Sequence, residues 1–116
     1  IFNDLSLVCR NCILFREIIC NTEFAIGDAL PCGVEAMAAY GHTPGHTLYR
    51  TDDKLIVGDI MHGLALQMEY SDFCARFDMD HEKAIASRKA VMEQVKKEGW
   101  TMFRMHFPTA EGVKVE

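Results

Sequence analysis

The stretch Gly41-His42-Thr43-Pro44-Gly45-His46-Thr47-Leu48-Tyr49 constrains this chain more than any other. Two glycines and a proline around two histidines dictate a tight, stiffened loop, and the run behind it reads as a strand. Leu55-Ile56-Val57-Gly58-Asp59 comes soon after, a buried strand that ends in a carboxylate. Asp52-Asp53 makes a tight turn between the two runs, and so short a connection makes them an antiparallel hairpin. Far downstream, Phe103-Arg104-Met105-His106 ends another strand in a histidine. His46, Asp59 and His106 thus each stand at the mouth of a strand, where the sheet fixes the backbone and the next loop can turn away. Two imidazoles and a carboxylate so held are the makings of a divalent metal site.

The remaining pattern sets the fold class. Val34 to Ala39 reads as a strand, and the apolar positions at Val8 and from Ile13 to Ile19 as an earlier one. Residues 60–77 read as a loop rich in methionine and aromatics, suited equally to lining a pocket and to filling a core. Asp80 is a helix N-cap, with Glu82 in the favourable first turn. Ala84, Ile85, Arg88, Val91, Met92 and Val95 recur at helical spacing, which puts the Arg88 stem inside an apolar stripe, and Gly99 stops the helix. Trp100 to Met105 is the last strand. The order predicts an α+β fold, an antiparallel or mixed sheet covered on one face by one main helix. A single helix cannot cover both faces, so something else must lie on the second.

Composition narrows the function classes. The chain has 116 residues, 49% of them hydrophobic and 25% charged, so it is one globular domain. A net charge of −5, without a run of Lys or Arg, speaks against a nucleic-acid partner. No apolar stretch approaches the roughly 20 residues of a membrane span. Five cysteines, an odd number without a regular framework, favour reduced thiols and a cytoplasmic location. Cys9-Arg10-Asn11-Cys12 lacks the second pair a structural zinc site wants; a small zinc module built there is the weaker alternative. The chain opens with Ile1 rather than Met, so a targeting segment upstream would be out of view. Of the other histidines, His42 is expected to hold the loop by hydrogen bonding, and His62 and His81 to stand aside from any metal.

Gly41-His42-Thr43-Pro44-Gly45-His46-Thr47 resembles the signature loop of the metallo-β-lactamase superfamily, and Gly58-Asp59 and His106 follow in that family's order. Phe77-Asp78-Met79-Asp80, the helix with Arg88 and the closing His-Phe-Pro are similar to a bacterial subgroup of its hydrolases. The resemblance implies an αββα sandwich with one or two divalent metals, zinc first, with iron or manganese equally suited to such ligands. It implies that His46 binds the first metal, that Asp59 bridges both and is the catalytic carboxylate, and that His106 binds the second. It implies hydrolysis of a small-molecule ester, lactone, thioester, amide or phosphodiester by metal-bound hydroxide. The family's other motif, His-x-His-x-Asp-His, is not in this sequence. Residues 1–116 therefore correspond to one domain, the C-terminal half of that fold, and too few ligands remain for a competent centre by the usual three-ligand rule. The expected partner is the missing N-terminal half or a second copy in a homo-oligomer. The rival expectation is a truncated, non-catalytic half that serves as an assembly module.

Overall fold

The computed structural model describes residues 24–104 and 111–116. A single 3₁₀ turn, Pro31–Gly33, leads into strand β1, Glu35–Ala38. Strands β2, Thr47–Thr51, and β3, Lys54–Ile56, form the expected hairpin. Asp52 takes the left-handed conformation in its two-residue turn (φ 50°), one that aspartate tolerates better than most residues. Two helices follow, α1, Leu64–Glu69, and α2, His81–Glu98, and then β4, Thr101–Phe103, and β5, Val113–Lys114.

The strands form one mixed sheet in the order β1-β2-β3-β4-β5. Among the described strands, β3 and β4 alone are parallel, because the helices between them carry the chain back to the starting edge; the other neighbours are antiparallel. β1, β3 and β4 consequently point the same way and end at one edge of the sheet. The loop after β1, the turn after β3 and Arg104 after β4 gather there.

Alternation along the strands sorts side chains between the two faces. Leu48, Leu55 and Met102 are fully buried with Val91 and Val95 of α2. On the other face Val34, Ala36 and Tyr49 are buried, with Phe24, Leu30 and Ile56 packed around them, so the segment leading into β1 covers part of the face that α2 leaves open. Both ends of α2 are closed as the sequence implies. The Asp80 carboxylate accepts from the Lys83 N–H, which holds its pKa below the usual carboxylate range, and the Gly99 N–H donates to the Val95 carbonyl.

The structure departs from the sequence expectation in two elements. α1 interrupts the stretch expected to be a loop, and β5 adds an edge strand that no pattern announced. In the methionine-rich segment Met61 is fully buried and Leu64 and Met68 pack on the core, whereas Leu66, Tyr70 and Phe73 are exposed. The expected strand before residue 20, the Cys9/Cys12 pair and His106 lie outside the described residues.

Candidate metal centre

The Gly-His loop is pinned against the start of α2. Gly41 approaches so closely that a Cβ there would lie 2.1 Å from the Ala84 nitrogen, and φ of 134° also excludes other residues. The Gly41 carbonyl accepts from Asp80 N–H and the His42 carbonyl from Met79 N–H. The loop is thus a backbone bridge between the sheet edge and the helix, with His42 at its centre.

His42 and His46 have different surroundings. The His46 Nδ1–H donates to the Ala39 carbonyl at 3.0 Å, and its Nε2 accepts the Asp59 backbone N–H at 3.0 Å. The ring therefore ties the end of β1 to the turn after β3. Burial holds its pKa below the ordinary histidine value, the main cause, and the nearby His42 works in the same direction. Gly58 makes room for this ring: a Cβ there would lie 2.9 Å from His46 Nε2, at φ 51°.

The His42 ring faces two carboxylates. Its Nδ1 lies 3.0 Å from Asp78 Oδ1 and its Nε2 3.6 Å from Asp59 Oδ2. The His62 ring is 5.0 Å away, centroid to centroid. One ligand atom each from His42, His62 and Asp78 lie within 4.8 Å of one another. His62 is held through its backbone, since Gln67 Oε1 accepts its N–H at 2.6 Å and Arg104 Nη2 donates to its carbonyl at 3.2 Å. Gln67 is itself buried and donates to the Phe73 carbonyl, so α1 serves to fix the turn that carries His62. Arg104 also donates to the Met61 carbonyl, and its burial lowers its pKa.

Imidazole nitrogens and carboxylate oxygens are the donors that zinc, iron and manganese share, so the chemistry of the set fits a divalent cation. A cleft of about 230 Å³ opens beside it, bordered by His42, Thr43, Tyr49, Ile56 and Asp59 among others. The structure brings Asp59, His46 and His42 together, as three side chains around one edge. It also brings in two that the sequence reading passed over, His62, expected to stand aside, and Asp78. The signals were present but faint: His62 is three residues past Asp59, and Asp78 lies in the tetrapeptide that carried part of the family resemblance. His81 is exposed at the start of α2.

No protein-family model matches the sequence, and no curated protein is similar to it at a significant level. Solved structures are. The hydrolase AbOPH, of the β-lactamase superfamily, superposes with a TM-score of 0.70 at 28% identity, over 78% of this chain and 32% of its own. AidC, a dizinc quorum-quenching lactonase in complex with a product, N-hexanoyl-L-homoserine, superposes with a TM-score of 0.73 at 22% identity, over 99% of this chain and 45% of its own. The chain thus spans less than half the length of either.

Proposed function

We propose, from a chain that carries the metallo-β-lactamase superfamily fold, that its sheet edge supplies part of a divalent-metal centre for hydrolysis of an ester-, lactone- or amide-type small molecule. The observation that carries this reading is the convergence of His42 Nε2 on Asp59 Oδ2 at 3.6 Å, beside an open cleft. Both similar structures are hydrolases, and one is a dizinc enzyme, which supports the general class.

We assign ligation at this edge to His42 and Asp59; the family resemblance adds His106, which lies outside the described residues. His46, the histidine expected from the sequence to bind the first metal, has both ring nitrogens engaged by protein groups. It serves better as the strut that holds Asp59 to β1. The two loop histidines thereby exchange the roles the sequence suggested. A divalent cation held there would polarise a substrate carbonyl and make a water acidic enough to attack at neutral pH. Asp59 aligns with His42 because the His46 strut fixes its backbone, and the cleft beside them gives a substrate access from the side of Tyr49 and Ile56. Among the described residues these two ligands fall short of a two-metal centre, and we propose that further donors come from a partner, either another part of the fold or a second copy.

Metal analysis tests the reading. The purified chain, loaded with zinc and desalted, is expected to retain it, and His42→Ala or Asp59→Ala to release it. Zinc released by Cys9→Ala instead would point to a cysteine module. A chain that holds no metal yet forms a stable dimer would support the assembly module.

A further inference from the structure

We infer that Arg88 and Asp78 form a buried positioning pair that sets the tautomer and the aim of His42 and couples it to the Asp59 turn. This rests on the proposal that His42 ligates a metal.

Asp78 and His42 share the cluster in which three donor atoms come close, and a ligand role for Asp78 is the obvious first thought. Its surroundings argue otherwise. The carboxylate is 1% exposed, with a hydrogen-bond partner at each oxygen and a guanidinium beside them. His42 Nδ1 meets Oδ1 at 3.0 Å, the Ala75 N–H meets Oδ2 at 3.2 Å, and Arg88 Nη2 lies 3.5 Å from Oδ2. A carboxylate with its lone pairs so engaged orients an imidazole instead of binding a cation. It requires the proton of neutral His42 on Nδ1, which leaves the Nε2 lone pair directed toward Asp59.

Arg88 makes the pair more than a local contact. Its side chain is also 1% exposed, although it lies in the apolar stripe of α2. Its Nε donates to the Ile60 carbonyl at 2.9 Å, and its Nη1 to the carbonyls of Ser71 and Phe73 at 2.7 and 3.1 Å. Ile60 immediately follows Asp59. One guanidinium therefore grips the turn that carries Asp59 and, through Asp78, the ring that faces it. The planar fork of arginine reaches these partners at once; the point charge of lysine would not. A structural arginine in a core needs one good acceptor set, and this one divides its donors between the two sides of the site.

The test uses the whole chain. In wild-type protein without metal, long-range ¹H–¹⁵N correlations of the histidine rings are expected to show His42 protonated at Nδ1 in its neutral form. Asp78→Asn and Arg88→Lys are expected to weaken zinc binding, measured by competition with a chromophoric chelator, by about 10–100-fold. Val95→Ala, a core variant of α2 remote from these bonds, is expected to stay within about twofold of wild type. A wild-type His42 protonated at Nε2 overturns the inference without need of any variant, even if Asp78→Asn fails to fold. So does Asp78→Asn that folds and binds zinc as wild type does while His42→Ala does not. If His42→Ala itself binds zinc unchanged, the metal reading fails, and this inference with it.

Discussion

At the scale of single residues, the two loop histidines look alike in sequence and differ in every contact. His46 Nε2 accepts an N–H from Asp59, so a proton added there would set two donors against each other. Burial, with the nearby His42 acting the same way, depresses its pKa, and the sign of the linkage follows. In the unfolded chain the ring takes up a proton below about 6.5, whereas the folded state resists it. The stability it contributes is fully present above that pH and is lost as the pH falls through it. Thermal melts from pH 7.5 to pH 5 are expected to show a falling melting temperature in wild type and a flatter profile in His46→Ala. The same variant, assayed while folded, is expected to lose less zinc affinity than His42→Ala. Gly58→Ala is expected to destabilise by more than the ordinary cost of a left-handed alanine, about 1–2 kcal/mol, because its methyl would press on the His46 ring; denaturant unfolding measures this. The loop and Asp59 were legible in the sequence, because glycine, proline and a strand-ending carboxylate declare themselves locally. The different contacts of the two histidines were not. They depend on the Ala39 carbonyl and the Asp59 N–H, which only strand pairing brings to one ring. Asp78 was hidden for the same reason, since 36 positions separate it from His42.

At the scale of elements, the hairpin and α2 were readable because their determinants are short-range. A two-residue turn forces antiparallel pairing, and Asp80, the apolar stripe and Gly99 mark the helix and its ends. α1 was not readable. It is only six residues long, and its place is fixed by Gln67, whose partners are the backbones of His62, Gly63 and Phe73 rather than neighbours in a periodic pattern. β5 escaped notice because two residues carry no period, and only pairing with β4 makes them a strand. Arg88 was seen in the sequence as a stem within the stripe, but not as a hub. The layer contact predicts its own mutational signature. Leu55→Ala removes a fully buried side chain between the sheet and α2 and is expected to cost about 2–5 kcal/mol in urea unfolding. Arg88→Met would leave the Asp78 carboxylate buried without its cation and is expected to cost about 3–5 kcal/mol in the same assay.

At the scale of the whole molecule, the α+β class followed from the order of strands and helix, and the mixed sheet agrees with it. The sheet face away from α2 was expected to need a cover other than the helix. Part of it is covered by Phe24 and Leu30, and large apolar side chains instead emerge near the site, with Tyr70, Phe73, Phe77 and Met79 each more than half exposed. Phe77 is 6.2 Å from the His62 ring, centroid to centroid, so this apolar surface adjoins the candidate centre. A chain spanning less than half of the structures it superposes on, with such a surface beside the candidate centre, is proposed to work with a partner. Sedimentation velocity of the isolated chain is expected to show self-association, and a monomer at high concentration would leave a preceding half of the fold as the proposed partner. The central claim, that His42 and Asp59 converge to hold a divalent cation, is tested most directly by titrating the chain with Co²⁺ and following its visible absorption. The account predicts one saturable site with a spectrum of nitrogen and oxygen ligands, abolished by His42→Ala and by Asp59→Ala and retained in folded His46→Ala. An unchanged titration in both of the first two variants, or a thiolate charge-transfer band in the spectrum, would contradict it.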